Sequence, residues 1–361
     1  MSTPVTETAV LDALRQVQDP DLRRDIVSLG FVKHLVIDGS RVAFSIELTT
    51  PACPVKDQMR DQARALVGQV PGVSAVDIEM TAAVRSAAIP DSTRAAVPGV
   101  RNIIAVGAGK GGVGKTTVAV NLAMALARRG SRVGVLDGDI YGPNVPIMLG
   151  LQTQLTTDGR KIVPASKYGL QVVSMGFLTN DDSPVIWRGP MLHGAIQQFF
   201  REVAWDDLDY LIVDMPPGTG DVALSLAQTV PVSGALVVTT PQVVSLADTR
   251  RAIRMYQKLN VKTLGIIENM SYFACPACGT ESDIFGRGAA SGLASELGVP
   301  FLGSIPIYQP IREGGDRGEP IVAAEPDSAA AASFFSVAER AAAQVSIASF
   351  SRSTIPLTVV P

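Results

Sequence analysis

The sequence predicts a doubly wound α/β domain with a mostly parallel sheet, preceded by a small α+β domain. Two observations support this: apolar runs alternate with helical segments beyond residue 100, and shorter, alternating patterns fill the first 80 residues. Continuous apolar runs are typical of parallel strands buried on both faces, and the intervening segments are long enough for crossover helices. The runs are Ile103–Val106, Val133–Leu136, Leu170–Ser174, Tyr210–Val213, Ala235–Val238, Leu264–Ile267 and Phe301–Ile305.

The predicted boundaries follow from these patterns. Residues 1–82 form the small domain, 83–99 a linker with two prolines and a glycine, 100–325 the large domain, and 326–361 a C-terminal helix and tail. In the small domain we expect helices at Glu7–Val17 and Pro54–Val67 and strands at Phe31–Ile37, Arg41–Leu48 and Val73–Met80. In the remainder we expect helices at Thr117–Arg129, Pro190–Val203 and Asp327–Gln344, the last followed by an irregular tail.

Composition excludes several classes of protein. The chain of 361 residues is 47% hydrophobic and 18% charged, a globular balance. It has no apolar run long enough to span a membrane, and its N-terminus lacks the basic start and apolar core of a secretory signal. A net charge of −3 disfavours nucleic acid as a partner. Three cysteines do not make a disulfide framework, so we expect a reducing, cytoplasmic setting and no membrane partner.

The strongest motif is GKGGVGKTT, which contains the G-x-x-x-x-G-K-[ST] pattern between a predicted strand and a predicted helix. Its residues are Gly109, Lys110, Gly111, Gly112, Val113, Gly114, Lys115, Thr116 and Thr117. The glycines let backbone N–H groups converge on phosphate oxygens at a helix N-terminus. Lys115 is expected to neutralise the β- and γ-phosphates of ATP, and Thr116 to ligate Mg²⁺. The alternative is a glycine-rich turn with an incidental lysine.

Three aspartates follow predicted strands. Asp137 and Asp139 end the strand Val133–Leu136, and Asp214 ends the strand Tyr210–Val213. The carboxyl ends of parallel strands are where open α/β sheets bind ligands. We expect Asp214 to hold Mg²⁺ through water and Asp137 to help form the shell of the ion. A helix cap or turn is the alternative role of each aspartate. The Gly- and Pro-rich segment Asp214–Asp221 suits a loop that changes state with the γ-phosphate.

Cys275 and Cys278 form a C-x-x-C pair for which three interpretations compete, besides an inert pair. A zinc knuckle needs four ligands, and the only histidines, His34 and His193, are distant in sequence. A thioredoxin-type redox pair is expected to open a helix directly after a strand. In the third interpretation a two-fold dimer supplies four thiolates, enough for tetrahedral zinc or a [4Fe–4S] cluster.

The phosphate loop resembles that of the deviant Walker A ATPases, which include the Min and Par positioning ATPases. By this resemblance, Lys110 is the signature lysine that reaches the nucleotide of a partner subunit, and Asp139 positions the attacking water. Asn269, at the end of the predicted strand Leu264–Ile267, would hydrogen-bond adenine and select ATP over GTP. A solvated lysine and a plain turn asparagine are the alternatives.

The chain further resembles the Mrp/ApbC family of iron–sulfur cluster carriers over residues 100–320. The resemblance rests on GKGGVGKTT, DGDIYGPNVP, DMPPGTGD, ENMSYFACPACG and DIFGRGAA. Gly138 and Asn144 stand where Ala and Ser are expected. Residues 1–80 resemble the iron–sulfur assembly domain through Asp19-Pro20, Asp25–Gly30 and Leu48–Pro54. Cys53 is then an auxiliary ligand of iron or a small buried residue.

The resemblance implies a slow ATPase, with Lys110, Lys115 and Asp139 as its catalytic residues, that carries an iron–sulfur cluster. A homodimer would hold a [4Fe–4S] cluster between two Cys275/Cys278 pairs and transfer it to apo-proteins. Rival interpretations are a Min/Par-like positioning ATPase, a nitrogenase-like electron donor and a nucleotide-binding scaffold. The Ala-rich C-terminal helix carries little positive charge, which disfavours a membrane-bound positioning ATPase.

Overall fold

The computed structural model describes residues 4–87, 96–139, 142–152, 155–177, 189–218, 232–275 and 277–353. The chain divides into two compact units, Met1–Arg85 with Phe350–Pro361, and Ser86–Ser349. Within the described residues, no helix combines the length and the apolar character needed to cross a bilayer.

The first unit has a three-stranded sheet with two helices. Its described elements are α1 (Glu7–Leu14), β1 (Gln18–Asp19), β2 (Arg24–Asp25), β3 (Val32–Asp38), β4 (Arg41–Leu48), α2 (Lys56–Gly68) and β5 (Ala75–Ala82). Strand β4 is central, antiparallel to β3 and parallel to β5. Alternate residues of β4, including Phe44 and Ile46, join a core with Leu14 of α1 and Met59 of α2. The period-two pattern of β4 therefore sets which face of the sheet the helices cover.

The second unit contains the large sheet. Its described strands are β6 (Val100–Ala108), β7 (Val133–Asp137), β8 (Thr156–Thr157), β9 (Ile162–Val163), β10 (Ala165–Lys167), β11 (Leu170–Ser174), β12 (Leu208–Asp214), β13 (Gly234–Thr239), β14 (Thr263–Glu268), β15 (Phe273–Ala274), β16 (Glu281–Ser282) and β17 (Phe301–Ser304). Its described helices are α3 (Lys115–Arg128), α4 (Val145–Met148), α5 (Gly189–Glu202), α6 (Val243–Lys258), α7 (Ala289–Leu297), α8 (Gln309–Arg317), α9 (Ile321–Ala324) and α10 (Ala329–Ser353). A short 3-10 helix spans Met175–Phe177.

The predicted fold class is confirmed. The eight-stranded sheet has the order β10-β11-β7-β12-β6-β13-β14-β17, and only the edge strand β10 is antiparallel to its neighbour. All seven apolar runs form strands of this sheet. Strand β6 is central, and the chain continues from it to β7 on one side while β13 lies on the other. The carboxyl end of β6 is therefore the switch point at which open α/β sheets bind ligands.

Among the differences from the predictions, two concern the large sheet and the C-terminal helix. Strand β10 was not predicted, because its three residues, Ala-Ser-Lys, carry no apolar run and pair only at the sheet edge. Helix α10 was predicted to end at Gln344 before an irregular tail, but it continues to Ser353. Val345 and Ala348 are buried, so packing extends the helix beyond the predicted end. Residues 354–361 lie outside the described part of the chain.

Candidate functional site

The phosphate loop joins β6 to α3 and is shaped by its glycines. Gly112 and Gly114 both have φ of +78°, a left-handed conformation that glycine adopts without strain. A Cβ atom at Gly109 would lie 2.3 Å from the backbone carbonyl carbon of Asp248. Helix α3 begins at Lys115 directly after Gly114, so the loop residues stand at a helix N-terminus that favours anions.

Lys115 lies among the carboxylates predicted to surround it. Its Nζ is 2.5 Å from Asp214 Oδ1 and 3.6 Å from Asp139 Oδ2. The Thr116 hydroxyl donates a hydrogen bond of 2.7 Å to Asp214 Oδ2. Burial raises the pKa of Asp214, and the Lys115 ammonium and the Thr116 hydroxyl offset part of that rise. Burial likewise raises the pKa of Asp139 against the opposing effect of Lys115. The structure thus brings together four residues from three separate segments.

Asp137 has a different setting from the one expected for a residue of the Mg²⁺ shell. It is fully buried and accepts hydrogen bonds from the N–H groups of Asp139 and Val145, both at 3.2 Å, and from the Ser174 hydroxyl at 2.9 Å. Burial, reinforced by the nearby charge of Asp214, raises the pKa of Asp137 to about 7. Its carboxyl group holds the loop between β7 and α4 in shape and does not line the pocket described next.

A cavity of about 370 Å³ opens beside the phosphate loop, a size typical of small-ligand sites. Predicted residues that line it are Lys110, Gly111, Gly112, Gly114, Lys115, Thr116, Thr117 and Asp139. The further lining residues are Pro217, which belongs to the predicted second switch Asp214–Asp221, and five that were not predicted: Asn144, Ile147, Met148, Gly315 and Asp316. Two lysines and three glycines of the phosphate loop therefore line a cavity whose volume suits a small ligand.

Helix α8 was missed as part of this site. Gly315 lies so close to α4 that a Cβ atom there would be 3.0 Å from Met148 Cε. One turn further on, a Cβ at Gly318 would lie 2.4 Å from Gly150 Cα. The available signal was the pair Gly314-Gly315 inside a nine-residue helix, because glycine in a helix interior is unfavourable by about 1 kcal/mol relative to alanine.

Asn269 is near the phosphate loop but does not line the cavity. Its side-chain Nδ2 donates a hydrogen bond of 2.8 Å to the carbonyl of Val113, and its backbone N–H donates to the carbonyl of Thr239. The predicted contact with adenine stays a prediction. Of the predicted second switch, residues 219–221 lie outside the described part of the chain, while Gly218 donates its N–H to the carbonyl of Ala108.

Cys275 and Cys278 lie on a small hairpin formed by the antiparallel strands β15 and β16. The Gly279 N–H donates to the Cys275 carbonyl at 2.8 Å, which closes the turn. Cys275 is half-buried and Cys278 is exposed. Hydrogen bonds with Thr280, and then the contact with Cys275, lower the pKa of the Cys278 thiol. The site therefore favours a thiolate, the form of cysteine that binds metal.

The hairpin of each chain carries only two thiols, those of Cys275 and Cys278. Where the chain is described, no group of three or more His, Cys, Asp or Glu side chains is arranged to hold a metal ion. The third cysteine, Cys53, is buried in the core of the first unit. The side chain of His193 is outside the described residues.

The fold and site define the class. A central parallel strand that ends in GKGGVGKTT, with an aspartate at the end of the neighbouring strand, is a P-loop NTPase core. The family model described as NUBPL iron-transfer P-loop NTPase matches residues 99–342, and that of the iron-sulfur cluster assembly protein matches residues 7–80. The chain therefore belongs to the NUBPL iron-transfer P-loop NTPase family.

Similar proteins agree with this membership and confirm the predicted resemblance. The chain is 49% identical over 351 residues to the iron-sulfur cluster carrier protein of Synechocystis, covering 95% of this chain and 99% of that protein. It is 50% identical over 345 residues to the protein of that name from Deinococcus radiodurans, covering 95% and 97%. For the Escherichia coli protein the identity is 41% over 341 residues, covering 93% and 91%.

Two solved structures resemble the second unit. A nucleotide-binding protein from Archaeoglobus fulgidus, in complex with ADP, is 36% identical with a TM-score of 0.58, covering 66% of this chain and 92% of that one. The cell division ATPase MinD of Pyrococcus furiosus is 27% identical with a TM-score of 0.52, covering 66% and 97%.

Proposed function

We propose that this protein binds and hydrolyses ATP and carries a [4Fe–4S] cluster, which two copies hold between them and transfer to apo-proteins. The observation that carries the proposal is the exposed Cys275/Cys278 hairpin on a P-loop NTPase whose relatives are named iron–sulfur cluster carriers. Two thiols per chain are half of the four that such a cluster requires. A site that is open and shared between subunits suits a cargo that must leave.

The nucleotide site has the groups that ATP hydrolysis requires. We infer that the phosphates occupy the cavity beside the loop, where Lys115 exchanges its contact with Asp214 for the β- and γ-phosphates. The Thr116 hydroxyl and the Asp214 carboxylate are 2.7 Å apart, and their hard oxygens fit Mg²⁺. When bound, Mg²⁺ neutralises charge that develops on the phosphates.

The remaining residues complete the proposed chemistry. Asp139 lines the cavity and orients the attacking water, while Asp137 acts on the Mg²⁺ site only through the loop that it holds. Asn269 forms a hydrogen bond with the adenine. Lys110 lines the cavity, and we infer that it reaches the nucleotide of the partner copy. Because this charge arrives only in the dimer, we expect hydrolysis to be slow.

Four exposed apolar side chains indicate where two copies would meet. Large apolar side chains are exposed at the carboxyl edge of the sheet: Ile147 beside the cavity, Val243 and Val244 at the start of α6, and Ile284 just after the cysteine hairpin. Exposed apolar side chains mark an interaction surface where they form one contiguous patch, and we infer that these do. Such a face would bring two hairpins together, and the exposed paired thiols favour a reducing, cytoplasmic setting.

Anaerobic reconstitution with iron and sulfide tests the proposal. The wild-type protein is expected to gain the visible absorption of an iron–sulfur cluster and to be dimeric by light scattering. Cys275→Ala and Cys278→Ala should lose the absorption, whereas the buried Cys53→Ala is the matched control and should keep it. A strictly monomeric protein that retains the cluster would overturn the shared site.

The rival candidate is a positioning ATPase, which the similarity to MinD supports at the level of fold. Helix α10 contains only Glu339, Arg340 and Arg352 as charged residues, so it is no basic membrane-binding helix. Co-sedimentation with anionic vesicles or with DNA distinguishes the candidates: the carrier should stay in the supernatant in both, with or without ATP.

A further inference from the structure

Glu268 and Asn269 are adjacent residues at the end of β14 whose side chains bond in different directions. Glu268 is 0% and Asn269 is 6% exposed, so both side chains lie inside the protein. Asn269 bonds to the phosphate loop, and Glu268 bonds to the segment that carries the two cysteines. Two residues joined by one peptide bond therefore contact the phosphate loop and the cysteine segment, respectively.

The contact on the nucleotide side is tight. Asn269 Nδ2 donates to the Val113 carbonyl at 2.8 Å, and it lies 2.2 Å from the position that a Cβ atom at Gly114 would take. The peptide between Val113 and Gly114 belongs to the loop whose amides are expected to surround phosphate. The Val113 carbonyl belongs to the same peptide as the Gly114 N–H, so a rotation of that peptide toward a phosphate would move the acceptor of the Asn269 hydrogen bond.

The contact on the thiol side holds both ends of one segment. Glu268 Oε1 accepts hydrogen bonds from the Ser271 hydroxyl at 2.6 Å and from the Gly288 N–H at 2.8 Å. Its Oε2 accepts from the Ala290 N–H at 2.8 Å, at the start of α7. Ser271 precedes the cysteine hairpin and Gly288 follows it. One buried carboxylate therefore fixes where the whole segment 271–288 begins and ends.

The segment is also braced internally. The Arg287 guanidinium lies 4.3 Å from the centre of the Tyr272 ring and pairs with Glu281 on β16. The Tyr272 carbonyl accepts a hydrogen bond from the Ile307 N–H. Because Arg287 ties the end of the segment to its start, a displacement at Glu268 moves the hairpin as a unit.

We propose that Glu268 and Asn269 are positioning residues that transmit the state of the phosphate loop to Cys275 and Cys278. Bound nucleotide shifts the Val113 carbonyl, Asn269 follows, and Glu268 repositions the hairpin, which changes the access to its thiols. Met270, the next residue, has a left-handed φ of +56° and gives the chain the sharp turn that this link needs. The inference rests on the proposed function, since it assumes that nucleotide binds at the loop.

The test measures thiol reactivity in the cluster-free protein, so it does not depend on cargo. In a Cys53→Ala background, alkylation of Cys275 and Cys278 by iodoacetamide is followed by mass spectrometry without nucleotide, with Mg²⁺–ADP, and with a non-hydrolysable ATP analogue and Mg²⁺. Nucleotide binding is measured in parallel with a fluorescent nucleotide analogue. The ratio of the alkylation rates with and without nucleotide is the readout, because a merely structural loss changes both rates together.

In the parent protein we expect nucleotide to change the rate at least threefold. Glu268→Gln replaces an acceptor oxygen by an amide NH₂ group. The alkylation rates with and without nucleotide should then differ by less than about 1.5-fold, while nucleotide still binds. Glu296→Gln, an exposed carboxylate on the same helix as Ala290, is the matched control and should behave as the parent. Ser271→Ala, which removes one donor to Glu268, is the milder second variant and should at least halve the response.

Two results overturn the inference: a parent protein that binds nucleotide with no change in the alkylation rate, or Glu268→Gln and Ser271→Ala variants that both keep the full response. If Glu268→Gln does not fold, the result for Ser271→Ala decides. Failure of the proposed function looks different, because it appears as absent nucleotide binding or as failed cluster reconstitution in the parent protein itself.

Discussion

Lys115 Nζ lies 2.5 Å from Asp214 Oδ1, so the lysine of the phosphate loop is neutralised by the aspartate that is expected to face Mg²⁺. Asp214 is fully buried and receives the Thr116 hydroxyl as well. A nucleotide that binds this loop must therefore compete with an internal carboxylate for both groups, and a Mg²⁺ ion held by Thr116 and Asp214 would remove that competition.

Asp214→Asn is expected to separate binding from hydrolysis. The substitution removes the negative charge that competes for Lys115, so ADP without Mg²⁺ should bind at least as tightly as it does to the wild type. Mg²⁺-dependent hydrolysis should fall on the order of 100-fold, because a Mg²⁺ ligand is lost. Titration calorimetry and phosphate release measure the two quantities. Asp158→Asn, in an exposed turn, is the control, and a variant that keeps its Mg²⁺-dependent rate would contradict the assignment.

The free energy of unfolding should depend on pH through Asp137. Its pKa is raised to about 7 in the folded protein, above an ordinary value of 3.8, so unfolding releases a proton between these pH values. The free energy of unfolding therefore falls as pH rises from about 4 to 7, by roughly 4 kcal/mol at most, since one pKa unit corresponds to about 1.4 kcal/mol.

Asp137→Asn removes this titration and should give a flatter profile over the same range in urea denaturation without Mg²⁺. The test compares the pH dependence and not the absolute stability of the variant. The N–H groups that donate to the Asp137 carboxylate would face the asparagine amide, which lowers the stability at every pH. Parallel profiles for the variant and the wild type would show that Asp137 does not hold its proton in the folded state.

Gly315→Leu should weaken nucleotide binding without unfolding the protein. The new side chain enters the cavity beside Met148, so we expect the affinity for ADP to fall at least about tenfold, a loss of roughly 1.4 kcal/mol. Better helix propensity offsets part of the steric strain in the folded state. The matched control is Gly292→Leu in α7, where no atom lies within 4 Å of the added Cβ. If the two variants bound ADP with equal affinity, α8 would not be part of the nucleotide site.

Thr280→Val should slow the alkylation of Cys278. The Thr280 hydroxyl lies 3.2 Å from the Cys278 sulfur and is the main cause of the lowered thiol pKa. Without that hydroxyl the thiolate fraction at pH 7 decreases, and we expect a several-fold slower reaction with iodoacetamide while Cys275 changes less. Ser282→Ala, on the neighbouring strand, serves as the comparison. An unchanged rate at pH 7 would mean that the hydrogen bond does not stabilise the thiolate.

Most of the fold could be predicted because its signals are local. Most strands of the parallel sheet are short apolar runs such as Val133–Leu136, which is buried on both faces, so their composition alone indicates their burial. Strand β10 and the last turns of α10 escaped prediction because their formation depends on neighbours. A three-residue edge strand has no pattern of its own, and Val345 and Ala348 become core residues only through packing.

The site was predicted less completely. Lys115, Thr116, Asp139 and Asp214 lie together as expected, since each ends or begins an element at the carboxyl edge of the sheet. The setting of Asp137 differs from the one expected beside Mg²⁺. Its carboxylate accepts a hydrogen bond from Ser174, which lies on another strand. No local pattern reports how deep an aspartate lies once two strands pair.

The sequence by itself determined the class of this protein: the phosphate loop, the strands that flank it and the C-x-x-C pair are contiguous motifs, so each can be recognised without knowledge of contacts between distant residues. Only the tertiary structure decided that Asn269 touches Val113, that Glu268 holds both ends of the cysteine segment, and that α8 closes the cavity. Such contacts join residues far apart in the chain, and they follow from the order of the strands and the close approach of backbones, which no single segment encodes.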